Sequence, residues 1–247
     1  AGSGWDGLFK SSDGGQSWNN KGLKNNCISR VTLDPIRPST IYITARSTES
    51  SKGGCYKSID GGENWEILLK AMDIRNIVID HKDNQILYLS CKEGIYKSID
   101  GGKKCELKNK GLPPENSLYA PLAIDPFNPS ILYTGAGGTI FTMFKSNDGA
   151  ENWKRIPKYI EGYVVSKNNF RSCQWFAWKS TNITIDPMNP KRIFLTDIQG
   201  MWRSDDEGMS WRAKNAGLEI SCVPAIAVHP KIPGLIYAGC LDNCAFI

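Results

Sequence analysis

Two aspartates, Asp197 and Asp242, are the carboxylates whose setting could support acid–base chemistry. Each follows an apolar run of the same kind, Ile193-Phe194-Leu195-Thr196 for the first and Leu235-Ile236-Tyr237-Ala238 for the second. Hydrolysis of a glycosidic bond needs two carboxyl groups about 5–10 Å apart, one as acid and the other as base or nucleophile. A second concentration of chemistry lies in residues 154–181, which carry six aromatic rings together with arginines and lysines. Trp175, Trp178, Tyr163 and Arg171 are its foremost contact candidates. Flat rings stack on sugar faces or cover an apolar patch of a protein partner. The same rings would be buried if the segment folded over its own end of the molecule.

Other chemistries lack their residues. No Gly-x-Ser-x-Gly elbow is present, and Gly135-Ala136-Gly137-Gly138 leads into no helical pattern that could cradle a phosphate. None of the eight cysteines forms a Cys-x-x-Cys pair, and His81 and His229 stand apart from any cysteine cluster. Zinc and haem signatures are therefore missing, and no metal or other cofactor is expected. An even number of cysteines predicts disulfides in an oxidising compartment, with buried free thiols as the alternative. The net charge of +5 over 247 residues is spread out, with short doublets such as Lys103-Lys104. That is a solvated basic surface and not a nucleic-acid stripe. Mean hydropathy is −0.35, and no run approaches the roughly 18 apolar residues of a membrane span. A chain that opens at Ala1 has the form of a processed or truncated product.

The elements that must position these groups are repeated. A box of the type Ser-x-Asp-Gly-Gly-x-x-Trp occurs at Ser11–Trp18, Ser58–Trp65, Ser98–Cys105, Ser146–Trp153 and Ser204–Trp211. Its aspartates are Asp13, Asp60, Asp100, Asp148 and Asp206, separated by 47, 40, 48 and 58 residues. Its tryptophans are Trp18, Trp65, Trp153 and Trp211, while Cys105 replaces the third and Ala150 replaces a glycine of the fourth box. A second motif alternates with the box: ValThrLeuAspPro (31–35), IleValIleAspHis (77–81), LeuAlaIleAspPro (122–126), IleThrIleAspPro (183–187) and IleAlaValHisPro (226–230).

Each unit reads as four short strands. The first is the apolar run ending in Asp-Pro, where proline and a self-capping aspartate break the strand. The second is the Ile-Tyr-Ile type of run. The third is Gly-x-Tyr-Lys-Ser, and the fourth begins at the box Trp, which is expected to pack against the next unit. Between the third and fourth, Asp-Gly-Gly makes a tight turn in which glycine accepts φ > 0. Four strands per 40–50 residues is the period of a β-propeller blade. The predicted fold is all-β, a propeller of four-stranded blades in one domain spanning 1–247. Five repeats make either a closed five-bladed ring, joined by pairing the half-blades at the two ends, or part of a larger propeller; the abrupt close at Ala245-Phe246-Ile247 favours a fragment or processed piece.

The boxes match the Asp-box, or bacterial neuraminidase, repeat over nearly the whole chain. That superfamily includes sialidases, xyloglucan-cleaving hydrolases, sortilin-type receptors and the photosystem II assembly propeller. The resemblance implies the propeller fold and a place outside the cytosol: extracellular, periplasmic or on the cell surface. It also implies that the box is a structural turn. The last third is most similar to the xyloglucanase-type hydrolases. It carries Ile183–Pro190, then Gly217-Leu218-Glu219, Cys222-Val223, Gly239 and Asp242-Asn243-Cys244-Ala245-Phe246. In those enzymes the Asp of Asp-x-x-Gly-Phe is a catalytic carboxylate, a role this likeness assigns to Asp242. Ala245 stands where that pattern has glycine. Their second carboxylate lies in Asp-Val-Gly-Gly near the domain start; here the nearest echo is Asp197-Ile198-Gln199-Gly200. A sialidase would need an arginine cluster and Phe/Tyr-Arg-Ile-Pro, which Phe170-Arg171-Ser172-Cys173 does not match.

Strand alternation puts the Asp-Pro and box turns at one end of the blades. The other connections, including Asp197, Asp242 and the 28-residue insertion 154–181, fall at the opposite end. The function read from these residues is a binding or scaffold module for a glycan or a protein partner, within a larger chain or assembly or alone. The alternative is a hydrolase of the xyloglucanase type. Asn182-Ile183-Thr184 fits a glycosylation acceptor, though it enters an inner strand.

Overall fold

The computed structural model describes residues 2, 6–48, 52–70, 72–113, 118–137, 142–156, 159–160, 182–197, 200–216 and 222–241. They fall into two compact units, Ala1–Lys108 and Asn109–Ile247. Among the described residues there is no helix, hence none long and apolar enough to cross a membrane.

The first unit holds three antiparallel sheets. β1 (Phe9–Lys10) pairs with β2 (Asn19–Asn20). β3 (Cys27–Leu33), β4 (Ile41–Ser47), β5 (Lys52–Ser58) and β6 (Glu66–Lys70) form a meander in chain order. So do β7 (Ile74–Ile79), β8 (Leu87–Cys91), β9 (Gly94–Ser98) and β10 (Glu106–Leu107). In the second unit β11 (Leu118–Ile124), β12 (Leu132–Gly137), β13 (Thr142–Ser146) and β14 (Lys154–Arg155) repeat the pattern. β15 (Tyr159–Ile160) precedes β16 (Asn182–Asp186), β17 (Asn189–Asp197), β18 (Gly200–Ser204) and β19 (Ser210–Ala213), and β20 (Cys222–Val228) pairs with β21 (Ile236–Leu241). The four strands expected of a repeat are thus the four observed.

Neighbouring four-stranded sheets within each unit share a layer of apolar side chains. In the first unit Tyr42 and Cys55 meet Ile74, Ile77, Ile79, Leu87 and Leu89. In the second, Ala123, Tyr133 and Met143 meet Ile183, Ile185, Ile193, Leu195 and Trp211. β3, β7, β11 and β20 are bulged where they enter the sheet, with register shifts at Ile28/Arg30, Ile74/Asn76, Tyr119/Leu122 and Cys222/Ala225, while β16 shifts at its exit, at Ile185/Asp186. A hydroxyl from strand two anchors the bulge. Thr44 Oγ1 lies 2.8 Å from Ser29 Oγ, and Thr134 donates to the Pro121 carbonyl at 2.9 Å.

One expectation needs correction. The box Trp faces the preceding blade, not the next one. Trp65 Nε1 donates to the Lys21 carbonyl (2.9 Å), the Trp153 backbone N–H donates to the Lys110 carbonyl (2.8 Å), and Trp211 packs with Ile156. Side chains alternate along a strand, so the Trp takes the face that the earlier blade covers while Glu66 beside Trp65 is exposed. Of the eight cysteines, Cys27, Cys55, Cys91 and Cys105 are free thiols. Cys55 and Cys91 are fully buried in apolar surroundings, the site of a small hydrophobe. The insertion contributes a strand of its own. Its β15 adds a fifth, parallel strand on the outer edge of β19, Tyr159 opposite Ser210 and Ile160 opposite Trp211.

Candidate functional site

The box turn is held by a closed set of short hydrogen bonds. Ser11, Ser58, Ser98, Ser146 and Ser204 each donate their hydroxyl to the box aspartate at 2.7–2.8 Å. Each also accepts the backbone N–H four residues on, at 2.8–2.9 Å. Oδ1 of Asp13, Asp60, Asp100, Asp148 and Asp206 then accepts the N–H of Ser17, Asn64, Lys104, Asn152 and Ser210 at 2.8–3.0 Å.

These bonds favour the charged carboxylate. The side-chain amide and backbone N–H of Asn152 hold Asp148 at about 2. Ser17 holds Asp13 below the ordinary carboxylate range, as the Asn64 N–H does Asp60 and the Lys104 N–H does Asp100. For Asp206 burial pushes upward, but the bonds from Ser210 and Ser204 outweigh it and the net shift is down. A carboxylate so engaged is a poor proton donor near neutrality.

The box turn is also tied to the Asp-Pro turn of its own blade. The N–H groups of Gly61, Gly101, Gly149 and Glu207 donate to the carbonyls of Ser39, Gln85, Ser130 and Lys191, each at 2.9 Å or less. Within the Asp-Pro turns, Asp34, Asp80, Asp125 and Asp186 are buried and cap the following backbone N–H groups at 2.7–3.2 Å. His229 does the same with Nδ1, accepting from Lys231 (3.1 Å) and Ile232 (2.9 Å). Both turn sets therefore share one end of each blade, and their carboxylates serve architecture.

At the opposite end, Asp197 is the last residue of β17, opposite Gly200 in β18. Asp242, Trp175, Trp178, Tyr163 and Arg171 lie outside the described residues. In the first unit the same end carries a pair that the repeat did not flag. Arg75 donates to Asp73 Oδ2 through Nη2 (2.8 Å) and Nε (3.3 Å), while Asp73 Oδ1 is buried without a hydrogen-bond partner. Both residues sit where β6 passes to β7, outside either motif, so only the connection length could have drawn attention to them. Asn182, the first residue of β16, is 7% exposed, which leaves no room for an attached glycan.

No family model matches the chain. The xyloglucanase Xgh74A of Acetivibrio thermocellus is 22% identical over 268 aligned positions, covering 75% of this chain and 32% of that enzyme. The chain thus spans about a third of the length of the curated relative it matches. The GH74 enzyme of Niastella koreensis superposes with a TM-score of 0.67 at 20% identity, over 85% of this chain and 35% of that one. YCF48 of Cyanidioschyzon merolae superposes with a TM-score of 0.53 at 13% identity, over 89% of this chain and 81% of that one. In fold, the chain is similar to the GH74 enzyme of Niastella koreensis and to YCF48.

Proposed function

We propose that the chain is a non-catalytic binding module of an Asp-box propeller, acting outside the cytosol on a glycan of the β-glucan or xyloglucan class. The observation that carries this reading is the engagement of every box aspartate by its own turn. It removes the five most regular carboxylates from chemistry and leaves recognition to the other end of the blades. There the reading assigns ligand contact to Trp175, Trp178, Tyr163 and Arg171, whose rings and guanidinium suit a sugar face and its hydroxyls. The blades are taken to belong to one propeller domain, a five-bladed ring or part of a larger one.

A second reading, hydrolysis of xyloglucan with Asp242 and Asp197 as the acid pair, is favoured by the likeness to Xgh74A. One experiment separates the two. The chain and its Asp242→Asn variant are incubated with xyloglucan, and both retention and released reducing ends are measured. Retention without turnover, lost in Trp175→Ala/Trp178→Ala, is the expected result. Turnover that disappears in Asp242→Asn overturns the binding reading, and retention unchanged by the double Trp variant removes the insertion from the site.

A further inference from the structure

The passage from β6 to β7 in the first unit ends in a fixed turn. The Ile74 N–H donates to the Met72 carbonyl at 2.9 Å, which closes a three-residue turn with Asp73 at its centre. Two neighbours hold that turn. Ser29 Oγ lies 3.0 Å from the Ile74 carbonyl oxygen. A Cβ on Gly53 would fall 2.4 Å from the Met72 carbonyl oxygen, on a backbone with φ of +69°, so the approach requires glycine. The next residue, Arg75, is the extra residue of the β7 bulge. Ile74 stands opposite Cys91 and Asn76 opposite Ser90, which leaves Arg75 without a ladder partner. A bulge re-aims the side chain it carries. In β3 the extra residue is Ser29, whose hydroxyl is engaged by Thr44 and Ile74. Arg75 turns instead to Asp73.

The pair is asymmetric. Arg75 places both Nη2 (2.8 Å) and Nε (3.3 Å) on one oxygen, Oδ2. Oδ1 is buried and has no partner, a costly state for a carboxylate oxygen. The turn therefore serves the orientation of the guanidinium at the expense of the carboxylate. Nη1 makes no hydrogen bond among the described residues, so two N–H donors of a held guanidinium are left over. The side chains of Arg75 and Asp73 are 21% and 19% exposed, so the pair reaches the surface. Its charges balance. A guanidinium already paired with a carboxylate attracts an anion weakly, because the anion also meets the negative partner. The spare donors suit a neutral hydroxyl.

We infer that Arg75 is a saccharide-contacting residue at the end of the blades away from the box turns, donating from Nη1 to a sugar hydroxyl, with Asp73 as its positioning residue. The inference rests on reading the chain as a binder of a neutral β-glucan, and it adds to that reading a subsite made by the first unit alone. Asp73 has two effects there. It fixes the plane of the guanidinium, and it turns the site against acidic glycans by cancelling the charge that would draw them.

The test is calorimetric titration of the 247-residue chain with a neutral xyloglucan oligosaccharide and, in parallel, with an acidic oligogalacturonate. Arg75→Gln, Arg75→Lys and Asp73→Asn are run beside the wild type, with circular dichroism to show each folded. The wild type should bind the neutral sugar in preference to the acidic one. Arg75→Gln should weaken neutral binding roughly tenfold. Arg75→Lys keeps the charge but not the planar fork, so it should also weaken binding, and it carries the test if the first variant fails to fold. Asp73→Asn leaves the guanidinium uncompensated and should raise affinity for oligogalacturonate about fivefold or more, a gain that added salt removes. A purely structural role for Asp73 would produce no such gain. Neutral binding unchanged in both Arg75 variants, or no gain for the acidic sugar in Asp73→Asn, overturns this inference and leaves the broader reading standing. A wild type that binds no xyloglucan overturns both.

Discussion

Asn84 donates its side-chain amide to Asp34 Oδ2 at 2.8 Å, a buried hydrogen bond between neighbouring blades. Oδ1 of the same carboxylate takes the N–H groups of Ile36 and Arg37. One residue thereby shapes its own turn and locks it to the next blade. Asn84→Ala should cost about 1–3 kcal/mol, because a buried acceptor loses its donor. Asn84→Asp should cost more at neutral pH, where two carboxylates meet, and recover stability on acidification as one takes up a proton. Urea titrations at neutral and mildly acidic pH check both.

The box aspartates predict the direction of acid unfolding. In the folded chain Asp148 is held at about 2, below the 3.8 of an unperturbed aspartate. A folded value below the unfolded one contributes stability that is fully present above about pH 5 and lost as pH falls through 3.8 toward 2. Asp13, Asp60, Asp100 and Asp206 shift the same way. Thermal melts should therefore hold level from neutrality to about pH 5 and fall steeply below it. Asp148→Asn should be less stable at neutrality and show a shallower acid decline.

Gly111 and Gly14 separate two costs of adding a methyl group. A Cβ at Gly111 would lie 2.0 Å from the Trp153 carbonyl oxygen, on a backbone with φ of +92°. Gly111→Ala should cost about 3 kcal/mol or more, since backbone and not a flexible side chain is in the way. At Gly14 (φ +72°) nothing lies within 4 Å, and Gly14→Ala should cost only the left-handed penalty of about 1–2 kcal/mol. Parallel denaturant curves measure the difference, and Trp153 emission should shift only in the first variant.

His229 stands where the other blades have a buried aspartate, and its Nδ1 performs the same capping. His229→Asp should leave stability within about 0.5 kcal/mol of wild type, whereas His229→Leu should lose about 1–2 kcal/mol with the cap. Equal losses in both would show that the imidazole contributes through something other than acceptance at Nδ1. Chemical denaturation of the two variants decides it.

Much of the blade is legible in the sequence because its chemistry is local. Ser98, Asp100, Gly102 and Lys104 close their turn among themselves. The Asp-Pro turns are equally self-contained. The opposite end of the blades offers no such code. Asp197 could be placed at a strand end from its neighbours, but the Asp73–Arg75 pair lies in a connection that neither motif covers, and β15 joins its sheet from within an insertion.

By itself the sequence determined the repeat, the four strands of each blade, their order and the end at which the box turns lie. Turn residues and strand alternation act over two to four positions, so one chain segment suffices to read them. Only the tertiary structure decided that Trp65 reaches back to Lys21, 44 residues earlier, that Asn84 reaches Asp34 across 50 residues, and that Cys55 and Cys91 remain thiols in an apolar layer. Those outcomes depend on which sheet faces which, and that is set by packing between blades.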